Sequence, residues 1–174
     1  PLAFLTPLQV TRSFGDEVWR LTAIEIVYSV GMILGGVIMT AWSGFKNKLH
    51  TMVLSNLNIA FCTVSLGIVS NFWLYLALMA LAGIAMPVFN TPFTVLFQQK
   101  VEENFLGRVF GVLYMISSFM MPVAMLVYGP VADYIKIEYL LVGTGTLMFV
   151  HAILMFSNKV LIEAGKPVEE DGIK

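Results

Sequence analysis

Apolar residues fill this chain in long blocks, and the polar and charged residues between them recur at intervals close to the thickness of a bilayer. A helix needs roughly 20 apolar residues to cross the hydrocarbon core. The first block, 1–13, is too short to do so. After the polar link "SFGDEVWR" a full span is predicted over 20–42, closed by "WSGFKNKLH". Further spans are predicted over 51–70, 72–98, 107–131 and, past "DYIKIEY", 137–157. The pattern therefore describes an all-α membrane protein with five full transmembrane helices plus the end of a sixth. Residues 1–158 form the bundle and 159–174 a polar, mobile tail. At about 1.5 Å per residue the 72–98 helix reaches about 40 Å, more than the core, and Pro87 and Pro92 give it a reason to bend.

Composition agrees with this reading: 58% of residues are hydrophobic and 12% charged, with a mean hydropathy of +0.84, whereas soluble domains carry about 25% charged residues. The net charge of −1 gives no support to nucleic-acid binding or to a polybasic surface anchor. A single cysteine, Cys62, cannot form an internal disulfide or a metal cluster. The chain opens at Pro1 with no basic region before an apolar run, so it reads as a piece of something longer rather than as a signal peptide.

Charge also sets orientation. Lys46, Lys48, Lys100, Arg108, Lys159, Lys166 and Lys174 fall on one face, against Arg12, Arg20 and Lys136 on the other. Because short cytoplasmic loops are enriched in Lys and Arg, the tail is placed in the cytoplasm. Trp19, Trp42 and Trp73 fall near span ends, where an amphipathic ring suits the headgroup level.

The stretch "QQKVEENFLGR" is a turn with almost no linker on either side, and it is expected to clamp two helices together. Gly107 and Gly111 beyond it, and Gly31 and Gly35 in the first full span, form G-x-x-x-G pairs that let helix backbones approach. The bland alternative is chance spacing in a glycine-containing membrane helix. Arg108 either bonds a nearby carbonyl or a carboxylate such as Glu102 or Glu103, or serves as a positive-inside anchor.

The segments "GIAMPVFNTPFTVLFQQKV" and "LGRVFGVLYMISSFMMPVAMLVYGPVAD" resemble the major facilitator superfamily, in particular its drug-efflux branch with macrolide-efflux-type exporters. On that pattern the first block resembles the end of helix 7 and the full spans resemble helices 8 to 12, the C-terminal six-helix bundle. The 8–9 turn, "SGFKNKLHT", keeps Gly44, Lys46 and Lys48 but lacks the Asp and paired Arg of the family's loop signature. The resemblance implies a multi-pass protein of the cell (plasma) membrane, an efflux antiporter linked to drug resistance. Its small-molecule substrate would bind between two six-helix halves that rock to expose it alternately. The N-terminal half would then be a further partner, with the lipid bilayer, and no nucleic acid or cofactor is implied.

Several residues suit such a role. Glu25 is the one acidic residue set inside a span, with Tyr28 and Ser29 on its face at i+3 and i+4. It either binds a proton or a cationic drug or snorkels to headgroup water. Asn90, Thr91 and Thr94 cluster beside Pro87 and Pro92, lining a cavity or satisfying carbonyls that proline frees. His151 lies within the last span, as a titrating group or a hydrogen-bonded structural one. Asn56 and Asn58 point to different faces, and Asn as interhelical glue is the plainer reading. Met115, Phe119, Met120, Met121 and Met125 either adapt to varied apolar drugs or face lipid and neighbouring helices.

An enzyme is not expected, since no H-E-x-x-H, G-x-S-x-G or P-loop is present. "GTGTLM" has Met148 where a dinucleotide fingerprint needs glycine. The remaining alternative is a non-transporting helical membrane scaffold or assembly subunit, against which Glu25 argues.

Overall fold

The computed structural model describes residues 2–15 and 17–166, and the tail beyond, including Lys174, lies outside the described residues. Among the described residues every regular element is helical. The order is α1 (Leu2–Phe14), α2 (Val18–Trp42), α3 (Lys48–Ile68), α4 (Phe72–Lys100), α5 (Glu103–Tyr134), α6 (Ile137–Ser157) and α7 (Lys159–Ala164). Helices α2 to α6 are each long and apolar enough to cross a membrane, and α1 supplies the end of a sixth.

Short polar links define where these helices begin. The side chain of Asn47 accepts from the Leu49 amide at 3.0 Å, that of Asn71 from the Trp73 amide at 2.9 Å, and that of Asn158 from the Val160 amide at 3.1 Å. Each satisfies an N–H that the first turn leaves without a helical partner. At the α2–α3 turn, Ser43 and Gly44 adopt φ of 57° and 76°, and the Thr51 hydroxyl accepts from the Phe45 amide at 2.9 Å. Asn47 is also why α3 starts at residue 48 rather than 51.

Four helices pack as a row in the order α2, α4, α3, α6. The core lies along it, with Cys62, Leu66, Tyr75, Leu78, Ala82 and Leu141 among its buried members. Helix α1 lies along the row, touching α2 and α6 at its two ends, and is pinned by polar contacts. The Arg12 guanidinium donates to the Ala132 carbonyl at 2.6 Å and pairs with Asp133 at 3.2 Å. The Ser13 hydroxyl donates to Glu138 at 3.3 Å.

Helix α4 continues as a single helix through Pro87 and Pro92. Two expectations need correction. The turn between α4 and α5 does not clamp them: α5 stands largely exposed, with only Ala132 buried. Their join is a chain of rings, Phe93, Phe97, Phe110 and Tyr114, at centroid spacings of 4.7 to 6.3 Å. Gly107 and Gly111 accordingly have open space where a Cβ would stand, because α5 brings no neighbouring backbone to them. Residues 159–166 are not a free tail. Helix α7 docks on the start of α3, the side-chain Nδ2 of Asn47 donating to the Ile162 carbonyl at 3.0 Å and the Lys48 backbone amide to the Gly165 carbonyl at 2.9 Å.

Candidate functional site

A cleft of about 310 Å³ opens between α1, α2 and α4. From α2 it takes Leu21, Ile24, Glu25 and Tyr28, whose spacing of 3, 4 and 7 residues puts them on one helical face. Met79 and Met86, seven apart, give the α4 wall, and Thr6 and Pro7 the α1 wall. Glu25 is exposed and Tyr28 half-buried, so a carboxylate and a phenol join Thr6 in a mainly apolar, thioether-lined space.

The backbone crossing at the edge of this cleft depends on glycine. A Cβ on Gly31 would fall against the Ala80 carbonyl and 3.2 Å from the Gly83 Cα; one on Gly35 would meet the Ile84 carbonyl, and one on Gly83 the Tyr28 carbonyl. Three missing side chains let α2 and α4 touch at backbone distance, which holds Tyr28 against α4.

Behind the cleft lies a buried polar link that sequence reasoning missed. The Tyr75 hydroxyl donates to Gln9 Oε1 at 3.0 Å, and Gln9 Nε2 donates to the Leu66 carbonyl at 2.8 Å. Gln9 is 2% exposed and Tyr75 0%. The bonds tie α1, α4 and α3 together, and a glutamine in the apolar first block was the signal for it.

The other candidate residues fall elsewhere. Asn90 is exposed and Thr94 half-buried on α4, past the cleft; no side-chain hydrogen bond is formed by Asn90, Thr91 or Thr94 among the described residues, so the carbonyls that proline frees are not met by either threonine. Asn90 is one turn beyond Met86 and extends its face. His151 sits on α6, where Asn56 Nδ2 of α3 donates to its Nδ1 at 3.1 Å. Asn58 points away and is exposed. Arg108 lies over the Phe105 ring at 5.9 Å and bonds neither Glu102 nor Glu103. The structure thus brings Glu25 and Tyr28 together and leaves Asn90, Thr94 and His151 apart from them.

Comparison with known proteins agrees with the helix pattern. Residues 2–172 match the Major Facilitator Superfamily. Among curated proteins, the chain is 26% identical over 156 residues to Macrolide efflux protein A of Streptococcus pyogenes, covering 88% of this chain and 38% of that protein. It is 25% identical over 127 residues to Macrolide efflux protein A of Enterococcus faecalis, covering 72% and 39%. The chain therefore spans under two-fifths of the length of these relatives. No solved structure matches. On the superfamily match across nearly its whole length, the chain belongs to the Major Facilitator Superfamily of membrane transporters.

Proposed function

We propose that this chain is the C-terminal bundle of a secondary active exporter of drug-like amphipathic molecules, working by proton antiport and alternating access, with its C-terminus in the cytoplasm. The observation that carries the reading is the placement of Glu25 and Tyr28 with Met79 and Met86 in one cleft between three helices. An unpaired carboxylate at membrane depth costs several kcal/mol, so its place on the wall of a cleft supports a role in binding. The thioethers give a wall that reshapes around varied apolar groups. Efflux by the two macrolide-efflux relatives, named for that activity, supports the substrate class.

In this reading Glu25 takes up a proton or a cationic substrate group, and Tyr28 offers it a hydroxyl partner one turn away. The Gly31–Gly83 crossing keeps both at the cleft wall while the two transporter halves rock. Glu25→Gln in the whole protein tests it: the shape is kept and the charge removed. Uphill, pH-driven efflux is expected to be lost while downhill exchange persists. Uphill efflux with an unchanged pH profile would refute the role of Glu25.

A further inference from the structure

A second groove, about 370 Å³, lies at the far end of the helix row, between α3 and α6. Val53 and Leu57 of α3 and Ala152 and Phe156 of α6 form its walls, with Phe45 and His50 at its mouth. From His50 to Leu57 it follows the spans for roughly 10 Å, about a third of a hydrocarbon core. Its one polar side chain is His50, whose ring stands 5.9 Å from that of Phe156.

The mouth has a charge unlike that of the chain as a whole. Residues 43–50 and 157–166 meet there, carrying Lys46, Lys48, Lys159 and Lys166 against Glu163 alone. Lys46 adjoins Phe45, and Lys159 follows Phe156 by three residues. Docking of α7 on the start of α3 through Asn47 and Lys48 fixes these two segments beside each other.

We propose that this groove binds one anionic glycerophospholipid. An acyl chain lies along Val53, Leu57 and Ala152, and the phosphate is held by Lys46, Lys159 and an N–H of His50. An apolar slot that opens at the membrane boundary under a set of cations matches the two ends of that molecule. A zwitterionic lipid would fill the slot but leave the lysine charge uncompensated. The proposal is independent of the role of Glu25, which lies at the opposite end of the row.

Trp42 provides the reporter, since its ring stands 4.9 Å from that of Phe45. The whole protein, with every tryptophan except Trp42 replaced by phenylalanine, is reconstituted in phosphatidylcholine vesicles. These are doped with a small fraction of either brominated phosphatidylglycerol or brominated phosphatidylcholine. Bromine quenches indole fluorescence on contact, so the anionic lipid is expected to quench Trp42 about twofold more than its zwitterionic counterpart at equal fraction. Ile153 also lines the groove at a largely exposed position that tolerates bulk, so Ile153→Phe should fill the slot and abolish the excess. Lys46→Gln with Lys159→Gln should equalise the two lipids. Equal quenching in the unmodified groove overturns the proposal, as does an excess that survives both sets of changes. Absence of quenching by either lipid, which would put a second protein chain over the groove, overturns it too.

Discussion

Gly31 and Gly83 bring α2 and α4 to backbone contact: a Cβ on Gly31 would stand 3.2 Å from the Gly83 Cα and closer still to the Ala80 carbonyl. Backbone cannot swing aside as a side chain can, so the helices must part to admit even one methyl. Gly31→Ala is expected to cost about 1–3 kcal/mol. Gly111→Ala, with nothing within 4 Å, should change stability by less than about 1 kcal/mol. Thermal unfolding of this chain in detergent compares them, and equal losses would contradict the crossing.

The buried link behind the cleft gives a second expectation. Tyr75→Phe removes the donor to Gln9 Oε1 and leaves that oxygen unpaired among apolar side chains. The cost should be about 1 kcal/mol, since hydrogen bonds between membrane helices average about 0.6 kcal/mol. In Gln9→Leu with Tyr75→Phe the loss should be smaller than the sum of the single losses. Strict additivity in a double-mutant cycle would show that the two side chains are not coupled.

Those two cases also show what the sequence could and could not disclose. Span positions are legible because membrane thickness acts locally: the 137–157 helix is found with the bounds read from its apolar run. Helix ends are less so, because a charged residue ends a membrane span without ending a helix. Helix α5 therefore starts at Glu103, four residues before the apolar run. Partners are less legible again. Gly31–Gly35 and Gly107–Gly111 have the same spacing, yet only the first pair meets a backbone, because the deciding residue, Gly83, lies on another helix. Gln9 and Tyr75 are 66 residues apart, and Asn56 and His151 are 95 apart; no local pattern joins them. Glu25 was legible as an ionisable group at depth, but its Met79 and Met86 neighbours were not.

At the opposite end of the bundle from α7, Arg12 holds α5 by its bonds to the Ala132 carbonyl and Asp133. The ion pair is exposed, with side chains 47% and 73% accessible, so it adds at most about 1 kcal/mol. Besides it, this end of α5 is held mainly by the Tyr128–Thr144 hydroxyl pair at 3.2 Å and by packing of Ala132, so loss of one contact is felt locally. Arg12→Ala should leave the midpoint of unfolding nearly unchanged while raising amide exchange over 128–135. Unaltered exchange there would show that Arg12 does not anchor the helix.

Asn47 performs two tasks with the two ends of one amide. Its oxygen caps α3 by accepting from the Leu49 amide, and its nitrogen holds α7 by donating to the Ile162 carbonyl. Two substitutions separate them. Asn47→Asp keeps the capping oxygen, favoured further by its negative charge at a helix start, but puts a carboxylate oxygen where the donor stood. It should undock α7, raising amide exchange over 159–165 while the first turn of α3 stays protected. Asn47→Ala removes both groups, so exchange should rise at 48–52 as well and stability should fall by about 1 kcal/mol. If Asn47→Asp leaves α7 as protected as before, the Lys48–Gly165 backbone bond alone holds the helix, and Asn47 serves only as the cap.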